Sequence, residues 1–173
     1  GHVRKGKIII VYTGRLHRPG SSAVTSFENF YIDQFRIEGE HTVKNITAPG
    51  SNFRVFTRQT VNGKITNTEK GTWCTWNVFH TIKQVEGNGT PFFPRDDVFS
   101  ITGAKKVECS NGKTRTAEIV EPLIRQFGCA WIVKGTVKLT LNGTVGILDF
   151  GDGTCDKTAT ITVNGQTRTI SLR

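Results

Sequence analysis

Apolar residues recur mostly at every second position of this chain, in short runs broken by glycine and asparagine. A strand sends successive side chains to opposite faces, so a period of two predicts half-buried β-strands. Strands are expected in KIIIVYTG (from Lys7), NFYIDQFRIEG (from Asn29), HTVKNIT (from His41), FRVFTRQT (from Phe53), KITNTEKGTW (from Lys64) and VFHTIKQVEG (from Val78). Nothing reads as a long helix. The best short helical candidate is EIVEPLIRQFG (from Glu118), and Pro122 argues against much of it because proline removes a donor and clashes with the preceding turn.

The punctuation between these runs is specific. Five Asn-Gly dipeptides occur, beginning at Asn62, Asn88, Asn111, Asn142 and Asn164, against about one expected from composition. Asn and Gly both tolerate the positive φ that a two-residue type I′ turn demands, so each is a hairpin candidate. A turn at Asn164-Gly165 sets Thr158 opposite Ser171, Thr160 opposite Thr169 and Thr162 opposite Thr167, a hydroxyl ladder on one face. The other face carries Ala159 opposite Ile170 and Ile161 opposite Arg168. A turn at Asn142-Gly143 sets Val137 against Leu148 and Leu139 against Gly146, with Gly135 leaving room for Phe150. A turn at Asn111-Gly112 sets Glu108 against Arg115 and Lys105 against Glu118, two opposite-charge pairs. The expected fold is a single all-β domain over residues 1–173: an antiparallel, hairpin-rich sheet folded into a sandwich, or alternatively curled into a partly closed barrel.

The four cysteines, Cys74, Cys109, Cys129 and Cys155, include no CxxC pair, so zinc has little support. Three disulfide connectivities are open, as is a set of four free thiols. The Asn142 hairpin places Cys129 opposite residue 156, and one extra residue in the returning strand would bring it to Cys155. DFGDG can supply that residue, because Gly151 and Gly153 accept the backbone of a β-bulge. Cys74 with Cys109 then follows by elimination.

Charge narrows the partners. The net charge is +9, yet Lys and Arg are mostly scattered singly, with VRKGK near the start the main cluster. No zinc-finger spacing or RNA-binding aromatic signature accompanies them, so no nucleic acid is expected; attraction to a polysaccharide, another anionic polymer or a membrane surface fits better.

Candidate chemistry is sparse. Asp149, Asp152 and Asp156 lie within eight residues on a glycine-bearing turn and could hold Ca²⁺, although the EF-hand spacing is absent and Asp commonly caps turns; no other cofactor is indicated. No nucleophile elbow, zincin motif or phosphate loop occurs, and His2, His17, His41 and His80 are far apart in sequence. A glycosidase would need Asp96 or Asp97 to face a distant acid such as Glu121. The aromatics Trp73, Trp76, Phe92 and Phe93 are candidate sugar-stacking residues, with Trp73 and Trp76 expected to point the same way from one strand; core packing is the alternative. Three Asn-x-Thr sequons, at Asn45, Asn88 and Asn142, match the N-glycosylation pattern, but two coincide with Asn-Gly turns, which explains them without glycans.

The blocks RKGKIIIVYTG, FENFYIDQFRIEGEHTVKN, GNGTPFFPRDDVFSITG, IVEPLIRQFGCAWIVKGTVKL and LDFGDGTCDKTATITVNGQTRTISLR resemble an uncharacterised family of exported lipoproteins from Bacteroidetes, across essentially the whole chain. The resemblance implies an extracytoplasmic protein at the cell surface or in the periplasm, with a signal, a lipidated cysteine and further chain upstream of Lys7. It implies contact with the membrane only through that upstream anchor, and no activity. Cys129 and Cys155 sit in family-like blocks while Cys74 and Cys109 are particular to this sequence, so the resemblance favours pairing 129 with 155 and 74 with 109. The expected function is a non-enzymatic binding or structural module of the envelope. Homo-assembly through an open sheet edge at Ile8 to Tyr12 is the alternative.

Overall fold

The computed structural model describes residues 1–90 and 93–172. Its strands are β1 (Arg4–Tyr12), β2 (Ser22–Ile32), β3 (Phe35–Asn45), β4 (Val55–Asn67), β5 (Thr72–Glu86), β6 (Val98–Cys109), β7 (Thr114–Gln126), β8 (Lys134–Leu141), β9 (Thr144–Asp152), β10 (Thr158–Val163) and β11 (Gln166–Ser171). One 3₁₀ turn, Pro94–Asp96, precedes β6. Each strand pairs antiparallel with its sequence neighbours, giving one eleven-stranded sheet in the order β1 to β11 that is not closed into a barrel. The all-β, antiparallel, hairpin-rich expectation is met. Where the sequence pointed to two stacked layers or partial closure, the strands form a single open sheet, because no connection carries a strand across to a second one. Glu118–Gly128, the helical candidate, is mostly strand β7, and Pro122 sits where the β7–β8 register shifts.

The register sorts the side chains onto two unlike faces. One face carries Ile37, Ile65 and Cys74 in one cross-strand row, Phe56, Ile82, Ile101 and Leu123 in another, and Ile119, Val137, Leu148 and Ile161 in a third. The opposite face carries Thr42, Gln59, Phe79, Ala104, Glu118 and Lys138 in one row and ends in the threonine ladder of β10 and β11. The sheet is therefore apolar on one side and mainly polar on the other.

Little covers the apolar side. Among the described residues, the buried apolar side chains are Ala23, Phe30, Cys129, Val133, Val137 and Ala159, and most of the others on that face are only half-buried. The chain exposes 11212 Å², about a third more than the roughly 8,400 Å² of a compact monomer of 19.1 kDa. That surplus is what a single-layer sheet produces.

Turn chemistry decides each register. The Asn164-Gly165 hairpin has the expected pairing throughout, and Thr162 and Thr167 hydroxyls lie 2.8 Å apart. The Asn142-Gly143 hairpin holds Val137 against Leu148 and Leu139 against Gly146 as expected. Beyond Thr136 the returning strand gains one residue: Thr136 faces Asp149 while Lys134 faces Asp152, so the bulge falls opposite Gly135, with Gly151 at φ 92°. The Asn111-Gly112 register is corrected by one residue. Gly112 takes φ 76°, and the Cys109 N–H bonds the Lys113 carbonyl, which makes a three-residue loop. Glu108 then faces Thr114 and Lys105 faces Ala117, so the expected cross-strand ion pairs do not form; Glu108 pairs along its own strand with Lys106 at 2.7 Å. Asn62-Gly63 is not a turn but a bulge within β4 opposite Gly39, and Asn88-Gly89 lies in the longer β5–β6 connection.

Two disulfides fix the sheet. Cys74 joins Cys109 across β5 and β6, and Cys129, after β7, joins Cys155, after β9. No described cysteine is free.

Candidate functional site

The apolar face carries a groove of about 600 Å³ that spans β4 to β8. Its floor is Ile82 on β5, Phe99 and Ile101 on β6, Ala117, Ile119 and Leu123 on β7, Ile132 beyond it and Val137 on β8. The register explains this cluster, since Ile82, Ile101 and Leu123 are direct cross-strand neighbours and Ile119 faces Val137. A mainly apolar lining with a few placed polar groups is the usual build of a small-molecule site, and the volume falls in the usual range.

The polar groups here are all basic. Arg58, His80, Lys105 and Arg125 line the groove, and among the described residues no carboxylate does. Arg58 is the β4 partner of His80, and its Nη2 donates to His80 Nδ1 at 3.0 Å. His80 in turn faces Gly103, whose missing side chain leaves room for the imidazole. Burial holds the His80 pKa below its ordinary value, and the charges of Arg58 and Lys105 lower it further. A neutral imidazole that accepts at Nδ1 carries its proton on Nε2. Among the described residues Arg58, Lys105 and Arg125 have no carboxylate partner. The acids of β6 and β7 are on the far face, with Glu108 beside Thr75, Glu118 beside Ala104 and Glu121 beside Thr136.

Sequence reasoning passed over this cluster. Its signal was available: Arg58 follows Phe56, and Lys105 follows Ile101 and Gly103, at the alternate positions that otherwise carry the apolar stripe. A cation in phase with core residues is the informative exception on an amphipathic strand.

The aromatic candidates do not assemble. Trp73 and Trp76 are three residues apart on β5, an odd spacing that sends them to opposite faces, which corrects the same-side expectation. Trp73 lies under the Lys64 ammonium, 5.7 Å from the ring centroid, on the polar face. Trp76 is half-buried over Gly63, where any Cβ would run into the indole. Phe93 is exposed before the 3₁₀ turn, and Phe92 lies outside the described residues.

The acidic candidates have structural partners. Asp97 is 4% exposed and accepts from Gln84 Nε2 at 2.7 Å and from Arg54 Nη2 at 3.2 Å. Asp96 accepts from the Thr90 hydroxyl and Glu121 from the Thr136 hydroxyl. No hydrogen bond among the described residues links Asp96 or Asp97 to Glu121. Asp149, Asp152 and Asp156 border one small depression, yet each bonds two residues ahead: Asp149 to the Gly151 N–H, Asp152 to the Thr154 N–H and hydroxyl, and Asp156 to the Thr158 N–H and hydroxyl. These are Asx turns. Among the described residues no group of three or more His, Cys, Asp or Glu side chains is arranged to hold a metal ion. Comparison with protein-family models, with curated proteins and with solved structures found no match to this chain.

Proposed function

We propose that this protein is a non-enzymatic, extracytoplasmic binding module that holds an apolar or amphipathic molecule against the uncovered face of its sheet. The observation that carries this reading is the groove on β4–β8: side chains that would form a core in a two-layered protein stay half-exposed and line a depression of ligand size. Two disulfides are compatible with an extracytoplasmic location. Anchoring to the envelope through an upstream lipid is a proposal that rests on the lipoprotein resemblance.

The test is binding of an uncharged apolar fluorophore, N-phenyl-1-naphthylamine. Fluorescence should rise on mixing with the wild-type protein and fall sharply for Ile101→Asp, which puts a charge in the groove floor. No rise with a folded wild-type protein would end this reading.

Self-assembly is a second reading, favoured by β1. Among the described residues that edge strand has a partner on one side only, and Ile8, Ile9, Ile10, Val11 and Tyr12 are 39–60% exposed on both of its faces. An apolar edge of this kind is a template for another strand. Light scattering should then report an oligomer that Ile9→Lys converts to monomer.

A further inference from the structure

We propose that the groove selects a long-chain carboxylate, with its acid group at Arg58 and Lys105 and its chain laid over Ile82, Ile101 and Leu123; this rests on the groove being a binding site, as proposed above.

The argument is charge complementarity on an apolar floor. Three cations, Arg58, Lys105 and Arg125, line the groove together with His80, and among the described residues none of the three is neutralised by a carboxylate. Arg58 and Lys105 are close enough to His80 that both lower its pKa, so they flank one place on the face. His80 holds the Arg58 guanidinium through Nδ1 at 3.0 Å, and the fork of an arginine matches the two oxygens of a carboxylate. One step of two residues along β5 leads from His80 to Ile82, whose row continues through Ile101 to Leu123. A charged end and an apolar track thus lie in sequence, as an amphiphile requires. Cationic amphiphiles would meet uncompensated like charge there, and neutral ones would leave the basic cluster without a partner.

Displacement of N-phenyl-1-naphthylamine separates the outcomes. Dodecanoate should displace it from the wild-type protein with a Kd at least about tenfold below that of dodecanol, and dodecyltrimethylammonium should compete least. In Arg58→Gln with Lys105→Gln the preference for the acid should be lost, with dodecanoate and dodecanol then displacing the fluorophore equally. Lys138→Gln, on the opposite face, should leave the preference unchanged and so controls for net charge. Equal competition by dodecanoate and dodecanol overturns the carboxylate assignment and leaves the groove reading standing. Stronger competition by dodecyl phosphate overturns it in favour of a phosphate head. Absence of fluorophore binding removes both readings.

Discussion

Cys74 and Cys109 face each other directly across β5 and β6, with Cα atoms 4.0 Å apart, so their bridge joins neighbouring strands of the sheet. Cys129 and Cys155 clamp the loop beyond β7 to the loop beyond β9, across the intervening β8. Peptide mapping without reductant should recover these two linkages and no others. The bridges span 35 and 26 residues, and chain-entropy reasoning gives each a contribution of about 3–4 kcal/mol. Replacing either pair with alanine should lower the urea midpoint accordingly, and free thiols in the native protein would remove both the bridges and the support they give to an extracytoplasmic location.

The imidazoles of His41 and His80 should make stability depend on pH near neutrality. Burial lowers both pKa values below the ordinary 6.5, and the Arg58 charge lowers them further. Below 6.5 the unfolded chain therefore binds protons that the folded chain resists, so stability falls as the pH drops through that value. The urea midpoint should be lower at about pH 5.5 than at about pH 7.5. The double variant His41→Gln with His80→Gln should flatten this slope, and an unchanged slope would mean that other groups carry it.

A second, more acidic step should come from the Asx turns. The Thr154 N–H and then its hydroxyl hold Asp152 below the ordinary carboxylate value, and the Thr158 hydroxyl and then its N–H do the same for Asp156. A lowered carboxylate pKa contributes stability that is present above about 3.8 and lost as the pH falls through the folded value. Asp152→Asn and Asp156→Asn keep an acceptor for the turn and should blunt acid unfolding below about pH 4. The melting temperature should not respond to calcium or to chelator. A rise with calcium that Asp152→Ala abolishes would make this turn a cation site.

How legible all this was in the sequence follows from the range of the forces involved. The Asn164-Gly165 hairpin could be paired residue by residue, because a two-residue turn and strict alternation specify one register. The bulge that delivers Cys155 towards Cys129 was legible too, since DFGDG supplies both the extra residue and the glycine to absorb it. At Asn111 the same dipeptide chose a three-residue loop, and that single residue moved Glu108 from Arg115 to Thr114. At Asn62 the dipeptide sits against Gly39 of β3 and Trp76 of β5, and contacts with both neighbours make it a bulge inside β4. The phase of each cation along its strand was legible, but their meeting in one groove was not, because Arg58, His80 and Lys105 belong to three strands and come together only once two registers are set. The Trp73–Trp76 error was of another kind: the spacing alone puts them on opposite faces.

Asp97 offers the sharpest test against a hydrolytic alternative. A general acid needs access to substrate, whereas this carboxylate is 4% exposed and occupied by Gln84, itself 1% exposed, and by Arg54. Gln84 ends the apolar row of β5, and its backbone N–H also bonds the Arg54 carbonyl, so the three side chains tie the start of β4 to the entry of β6. Removing the carboxylate leaves a buried amide without its acceptor, which costs about 1–3 kcal/mol, and the loss of the partly exposed Arg54 contact adds little more. Asp97→Ala should therefore lower the unfolding free energy by about 2–3 kcal/mol, while Asp97→Asn, which keeps a carbonyl for Gln84, should restore part of it. Activity on polysaccharide substrates that vanished in both variants without loss of stability would instead make Asp97 catalytic, and the network with Gln84 and Arg54 would then be positioning it.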